Sequence, residues 1–273
     1  MPELPEVETT RRGLVARVLD ARIERAIVRN RALRWPVSTG LEAAIAGARI
    51  DAIERRAKYL LFACERRGHL LVHLGMSGRL WLVANDEPPA IHDHVDIVLA
   101  TGFSIRLRDP RRFGAVLWLP AGAPVHPLLA SLGPEPLTAA FDAPYLYRVL
   151  RGRSAAIKLV LMDSHVVAGV GNIYANEALF EARINPRTSA SRLGPARCAR
   201  LVEAVRTILA RAIEAGGSSL RDYVAADGKL GSFQDTFNVY GRDGLPCVRC
   251  GAPVRAIWQG NRSTWYCVRC QRA

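Results

Sequence analysis

The chain has 273 residues and a formal net charge of +13, from 38 Lys+Arg against 25 Asp+Glu; that length holds a substantial core, in two modules plus a small appendage. Basic side chains run along the whole sequence rather than in one tail, which favours a folded positive face over a disordered arm and makes nucleic acid the leading partner. An anionic membrane surface is the alternative, but no apolar run spans a bilayer and every basic amphipathic stretch has a better explanation; acids stand where a signal peptide carries its positive region, so a cytoplasmic protein with reduced thiols and no membrane partner is expected.

The chain opens Met1-Pro2-Glu3-Leu4-Pro5-Glu6-Val7-Glu8. A small second residue lets the initiating methionine be clipped, which leaves Pro2 with a free secondary amine. A terminal amine titrates near ~8, against ~10.4 for lysine, so a useful fraction is an unprotonated nucleophile at neutral pH. It forms an iminium directly with an aldehyde-level carbon. Glu3 is the adjacent candidate proton shuttle, and Glu6 lies one turn on if Pro5 opens a helix. The same residues also read as a capped amphipathic helix with acids at its positive end. Val7, Leu14 and Val18 recur at helical spacing and predict a helix from Pro5 to about Leu19.

Eight short apolar or alternating runs follow: Ile23 to Val28, Ile50 to Ile53, Tyr59 to Cys64, Leu70 to Leu74, Leu80 to Val83, Val95 to Leu99, Phe103 to Leu107 and Ala115 to Leu119. Their spacing predicts an antiparallel sandwich or barrel. Three loops between them carry chemistry. Arg55-Arg56-Ala57-Lys58-Tyr59 sets a cationic knot at the mouth of a strand, or a basic edge that discourages aggregation. Gly75-Met76-Ser77-Gly78 is a turn that would display Met76 as an apolar wedge. Asp109-Pro110-Arg111-Arg112-Phe113-Gly114 offers two guanidiniums and a ring, as an enzyme needs when it pulls a nucleotide from a duplex and must fill the gap. In His92-Asp93-His94 the two histidines face one way on a strand, but no third metal ligand is evident, so His92 reads as a phosphate contact.

Gly133-Pro134-Glu135-Pro136 marks a boundary. Helical patterns then run at about Pro144 to Leu150, Ala155 to Met162, Asn172 to Ala182, Pro195 to Ala215 and Ser219 to Ala225. The Gly169-Val170-Gly171 stretch before Asn172 lacks the preceding strand and following acid of a dinucleotide site. Glycines opening a helix can still turn backbone N–H groups toward a phosphate. Ala226 to Tyr240 is polar, irregular and too long for a simple turn.

Of the six cysteines, Cys64 and Cys198 read as inert and buried. Cys247-x2-Cys250-x16-Cys267-x2-Cys270 makes a tetrahedral four-thiolate zinc site, which is structural because four thiolates leave no open position. A redox pair would need one CxxC opening a helix, not two matched halves. Arg255, Arg262 and Trp265 sit between the knuckles on an expected β-hairpin that presses cations against DNA. The expected fold is α+β: an N-terminal helix and antiparallel β-sandwich over residues 1–133, a helical module over 134–236 and a four-cysteine zinc finger over 237–273.

The opening PELPEVET, Pro2 to Thr9, resembles that of the bacterial formamidopyrimidine-DNA glycosylases, and the likeness continues through later motifs to the last cysteine. It implies a bifunctional glycosylase and abasic-site lyase that removes 8-oxoguanine and formamidopyrimidines from duplex DNA. Pro2 would attack C1′, Glu3 would manage protons on the sugar, Lys58 would serve elimination, and Arg262 would stand in the catalytic site. Met76, Arg111 and Phe113 match the void-filling triad, His92 a phosphate contact, and Asn172 a DNA contact at the hairpin of a helix-two-turn-helix motif. Arg153 and Lys158 lie upstream as further phosphate ligands, though either also reads as part of a solvated helix face. The loop over 226–240 would close on the extruded base. Zinc is the one cofactor implied, since the iminium is itself the electron sink; the partner is duplex DNA with oxidised bases, and the protein a nucleoid-associated monomer. The rival endonuclease VIII usually starts PEGPE, so Leu4 and the full DPRRFG loop favour the purine enzyme. A non-catalytic zinc-finger DNA-binding protein explains the charge and the cysteines but leaves Pro2, Glu3 and Lys58 unexplained.

Overall fold

The computed structural model describes residues 2–218 and 231–272. The chain forms two compact units, Met1–Ala130 with Ala215–Ser232, and Ser131–Glu214 with Phe233–Ala273. The architecture is α+β.

In the first unit the opening helix α1 (Leu4–Val18) buries Val7, Leu14 and Val18 at the predicted spacing. Eight strands follow in the predicted order: β1 (Ile23–Val28), β2 (Ile50–Arg56), β3 (Tyr59–Cys64), β4 (Gly68–His73), β5 (Arg79–Ala84), β6 (Asp93–Leu99), β7 (Phe103–Arg108) and β8 (Ala115–Pro120), with a short helix α2 (Leu41–Ile45) after β1. They build two four-stranded antiparallel sheets, β1-β6-β7-β5 and β2-β3-β4-β8. Leu70, Val72 and Val116 from one sheet meet Val95, Ile97, Ile105 and Leu107 from the other, so the alternating runs close on one another as a sandwich. A short helix α3 (Pro127–Ala130) ends this stretch.

Strand β6 is buried along its whole length, acids included. Asp96 accepts from Arg106 Nε at 2.9 Å and from Arg29 at 2.6 Å, while Asp93 accepts from Arg108 Nε at 2.6 Å. Burial pushes the Asp96 carboxyl up, but the hydrogen bonds of Arg106 and Arg29 outweigh it and hold the group below the usual aspartate range. Both charges are thus taken from water as a pair.

The second unit contains α4 (Ala143–Leu150), capped by Asp142 on Tyr145 N, then α5 (Ile157–Leu161), α6 (Asn172–Glu181) and α7 (Pro195–Glu214). Leu201, Val205, Ile208, Leu209 and Ala212 form the apolar stripe of α7, which packs on α4 and α6. Helix α5 is shorter than its sequence pattern because Ala156 is extended (ψ 137°) and bridges to Ser189. The hairpin β9 (Val254–Gln259) and β10 (Arg262–Cys267) completes the unit. The helix expected at 219–225 and the first part of the 226–240 segment lie outside the described residues; Phe233–Thr236 forms a single 3-10 turn.

Asp96→Asn removes the nearest carboxylate from Arg106, which is only 2% exposed and keeps its bonds to Glu87 O and Pro88 O, and should cost about 3 kcal/mol at neutral pH. A depressed carboxylate contributes stability above its ordinary pKa near ~4 and loses it as pH falls through the folded value, so the gap between variant and wild type should narrow below pH ~4. Urea unfolding at both pH values measures this, and an unchanged gap would mean that the pair is not what stabilises β6.

Candidate functional site

Pro2 and Glu3 are buried at the start of α1. Glu6 makes the reciprocal capping box with Glu3: its Oε2 accepts from Glu3 N at 2.8 Å. Its Oε1 accepts from Ser218 N at 2.8 Å and Ser218 Oγ at 2.9 Å, and Ser218 bridges to Ser232. One carboxylate therefore ties the chain start to both flanks of residues 219–230. Gly217, at φ +77°, lies so close that an added Cβ would stand 3.1 to 3.3 Å from Glu6.

Two residues further, Glu8 accepts from Arg11, Arg12 and Arg55 at 2.8 to 3.2 Å. Burial raises this carboxyl, but the hydrogen bonds of Arg11 and Arg12, and the charges of Arg11 and Arg55, hold it below its ordinary value. Arg55 also donates to Ala57 O at 3.1 Å. Arg56 pairs with Tyr59, which leaves Ala57 and Lys58 as a two-residue turn, Ala57 at φ +53°. The turn carrying Lys58 is thus pinned to the helix carrying Pro2 and Glu3 through Arg55.

His73 belongs to this neighbourhood and has no motif of its own. It pairs across the ladder with Tyr59, whose ring lies 4.8 Å away, and Gly75 N donates to its Nδ1 at 3.1 Å. Burial, with the charges of Lys58 and Arg34, pushes its pKa down to about 4. The ring therefore stays neutral at physiological pH, with its proton on Nε2, a donor suited to an oxyanion. Its one sequence signal is its place on the strand beside the Lys58 turn.

The Met76 and Arg111 loops interlock backbone to backbone. A Cβ on Gly75 would stand 2.4 Å from Phe113 C, and one on Gly114 would stand 2.6 Å from His73 O. Asp109, fully buried, accepts from Ser77 Oγ at 2.8 Å and Gly114 N at 2.7 Å. Arg111 Cζ sits 4.6 Å from the Phe113 ring centre, and both border a concavity of about 490 Å³ with Leu33 and Arg34. Met76 is half-buried rather than fully displayed. His92 and His94 do not share a strand face as the pattern suggested. His92 precedes β6 at φ +74° with its side chain exposed, whereas buried His94 sets Nε2 2.9 Å from Asp109 O.

In the second unit Lys158 departs from its expected setting. It is fully buried, and its Nζ donates to Ser263 O at 3.1 Å and Thr264 Oγ1 at 2.7 Å. The alternative of a solvated helix face does not hold: α5 lies under the hairpin, and the ammonium is a strut for β10. Asn172 Nδ2 donates to the same Ser263 O at 3.1 Å, while its Oδ1 is buried without a partner. Arg262, next in chain, is exposed. Arg153 is exposed as expected, donating to Val149 O at 2.9 Å and lying 3.5 Å from Asp163. Glu177, unpredicted, is fully buried and accepts from Asn238 N, Asn238 Nδ2, Val239 N and Tyr240 N at 2.9 to 3.0 Å, fixing the approach to the zinc module.

Residues 1–116 match the formamidopyrimidine-DNA glycosylase N-terminal domain, residues 132–224 its H2TH domain, and residues 244–273 the zinc finger found in FPG and IleRS. The chain belongs to the formamidopyrimidine-DNA glycosylase family. It is 56% identical over 272 residues to the enzyme of that name from Thioalkalivibrio sulfidiphilus and 55% over 273 residues to that of Stutzerimonas stutzeri, with each chain covered in full. Among solved structures it is similar to MutM (FPG) from Thermus thermophilus, at 42% identity and TM-score 0.89 over 99% of this chain and 98% of that one. It is also similar to a Lactococcus lactis FPG variant in complex with a Fapy-dG containing DNA, at 35% identity and TM-score 0.92 over the whole of both chains.

The four cysteines form one cluster, with all sulfurs within 4.8 Å of one another. Cys247 Sγ lies 3.9 Å from Cys270 Sγ, and Cys250 Sγ 3.5 Å from Cys267 Sγ. Four sulfurs at ~2.3 Å from a tetrahedral zinc stand about 3.8 Å apart, so the set fits one structural zinc ion. No other metal cluster occurs among the described residues, which leaves His92 and His94 without that role. Cys247, Cys267, Val254 and Phe180 share one small core, so the ligand cysteines pack against a side chain of α6.

Metal analysis of the purified protein should find one zinc per chain. Cys250→Ser should lower that content and loosen the hairpin while the β-sandwich, which has its own core, keeps its unfolding transition. Full zinc retention in the variant would remove Cys250 from the ligand set.

Proposed function

We propose that the chain is a bifunctional DNA glycosylase and abasic-site lyase of base excision repair, directed at 8-oxoguanine and formamidopyrimidines in duplex DNA. The observation that carries this reading is the buried Pro2-Glu3 start, locked by the Glu6 capping box in a chain whose whole length matches the family. The Pro2 amine attacks C1′ as the glycosidic bond to the damaged base breaks. Glu3 moves protons on the opening sugar, and the Pro2 iminium draws electrons so that the 3′ and then the 5′ phosphate leave by β- and δ-elimination. Lys58 and neutral His73 face the charge of that backbone, and Arg262 supplies a guanidinium from the finger. Met76, Arg111 and Phe113 occupy the space of the extruded nucleotide, and His92, Arg153, Lys158 and Asn172 serve the phosphates, Lys158 by holding the hairpin. The protein works as a monomer on the bacterial nucleoid, and no small-molecule cofactor enters the reaction. Among the described residues no helix is long and apolar enough to cross a membrane.

Borohydride added during reaction with an 8-oxoguanine duplex should trap a covalent complex through Pro2, because an iminium precedes strand cleavage. Pro2→Gly should keep some trapping through its primary amine. Peptide mapping that places the adduct only on Lys58 would overturn the N-terminal mechanism.

Arg111 offers hydrogen-bond donors beside the Phe113 ring, which suits the acceptors of an estranged cytosine and not the N6 donor of adenine. A good base contact discriminates by roughly 1–3 kcal/mol, about 5- to 150-fold. Arg111→Ala should lose most of the preference for lesion opposite C over lesion opposite A, whereas Arg153→Ala should weaken both substrates alike and flatten the salt dependence. Single-turnover excision on the two duplexes reads both variants, and an unchanged ratio in Arg111→Ala would reduce that residue to a phosphate contact.

A further inference from the structure

The two zinc knuckles carry the same four letters, Cys247-Val248-Arg249-Cys250 and Cys267-Val268-Arg269-Cys270, and each arginine serves a feature that the proposed reaction does not use. Arg249 and Arg269, with Arg183 and Arg272, line a concavity of about 460 Å³ beside the ligand Cys270. Its frame is rigid. Arg249 Cζ lies 4.5 Å from the Phe180 ring centre, and its guanidinium donates to Phe180 O at 3.0 Å and Glu181 at 2.6 Å. Arg183 holds φ +57°, with its N–H on Phe180 O at 3.1 Å. Arg272 bridges to Ile184, and buried Gln271 beside it donates to Ile184 O at 3.0 Å while accepting from Cys267 N at 2.9 Å.

The charge in this cradle is uncompensated. Glu181 engages Arg249, and among the described residues Arg183, Arg269 and Arg272 form no ion pair. Four exposed guanidiniums around one hollow against one carboxylate give it a positive field that attracts an anion, and the guanidinium fork matches phosphate oxygens two at a time. No aromatic or aliphatic side chain lines the hollow, so it lacks the apolar anchor on which a protein partner's affinity would rest. A polyanion needs no such anchor, because release of its counterions supplies the affinity.

The cradle is at the far end of the hairpin from Arg262. Arg262 pairs with Gln259 next to the tip, while Cys267 pairs with Val254 at the base. Five residues of strand span about 17 Å, and Arg269 and Arg272 lie beyond that base. We propose that the arginine cradle is a second phosphodiester-binding site, which takes the backbone of a second duplex segment while a first occupies the hairpin face carrying Arg262. The proposal rests on the reading above that the Arg262 face binds DNA. Such a site lets the protein pass between neighbouring segments without a free intermediate.

The test uses the zinc-loaded full chain and the triple variant Arg183→Gln, Arg269→Gln, Arg272→Gln; Arg249 is retained because it holds the knuckle, and none of the three is a zinc ligand. A short duplex bearing an abasic-site analogue is immobilised and loaded with protein, and a labelled lesion-free duplex is then added. Wild type should capture the second duplex, and the variant about tenfold less or lower, with the salt slope of capture reduced by about 3 × 0.9. Zinc content and excision on the short lesion duplex should stay within about twofold. Direct binding of lesion-free duplex by both proteins is read in parallel, so the cradle is tested even if no excision occurs; absent excision would count against the proposed function instead. Equal capture and equal direct binding by the two proteins overturn the cradle. So does capture that requires a second protein copy in the complex by mass, or binding of inorganic pyrophosphate by wild type with no second duplex.

Discussion

Two carboxylates on the first turns of α1 organise the molecule's beginning. Glu6 divides its oxygens between Glu3 N and Ser218, and Glu8 gathers Arg11, Arg12 and Arg55. A hydrogen bond to a charged group contributes about 1.5–3 kcal/mol, and losing one partner inside a protein costs more than the bond contributes. The first acid holds the buried Pro2-Glu3 start against Ser218, some two hundred residues away in sequence. The second holds, through Arg55 and Ala57, the turn that presents Lys58. A terminal amine is ordinarily the most mobile nucleophile a protein has. Here the residue behind it is fastened from two directions, which is the condition for directed attack by a group with no side-chain tether of its own.

The loops of Met76 and Arg111 show the same economy with backbone instead of charge. Gly75 and Gly114 stand where an added Cβ would meet the main chain of the opposite segment at 2.4 to 2.6 Å, so the two loops fuse only if those positions carry no side chain. Asp109 then satisfies Ser77 and Gly114 inside the joint. The result is a rigid mount for Met76, Arg111 and Phe113, three side chains from two loops about thirty-five residues apart in sequence.

Buried charge also sets the position of the finger. The zinc ion gathers four thiols, but Lys158, Asn172, Asn176 and Glu177 decide where the hairpin and its approach lie on the helices. Lys158 and Asn172 hold Ser263, Asn176 accepts from Trp265 N at 2.9 Å, and Glu177 receives residues 238 to 240. Gly260 lets the tip settle against Leu159 of α5, where a Cβ would meet the leucine at 2.6 Å. Arg262 is thus aimed by contacts on its neighbours and keeps its own guanidinium exposed.

The sequence by itself determined the strands, the long helices and the metal. Period-two runs closed by turn residues can bury only one face, and Cys247, Cys250, Cys267 and Cys270 are matched in number and spacing to one tetrahedral ion. It also marked Pro2, Glu3, Lys58 and the Asp109 to Gly114 loop, whose local patterns each allowed a plainer reading until the resemblance to the glycosylase family chose between them. Only the tertiary structure decided what the isolated charges do. Lys158 reads as solvated until β10, over a hundred residues later, covers it. Glu177 is one of two acids in its helix until the backbone N–H groups of Asn238, Val239 and Tyr240 arrive some sixty residues later in sequence. His73 is neutral because of what surrounds it, and Arg183, Arg249, Arg269 and Arg272 form a cradle only once α6 and the knuckles are side by side. A charge's partner and its desolvation are set by distance through space, and no local propensity encodes that distance.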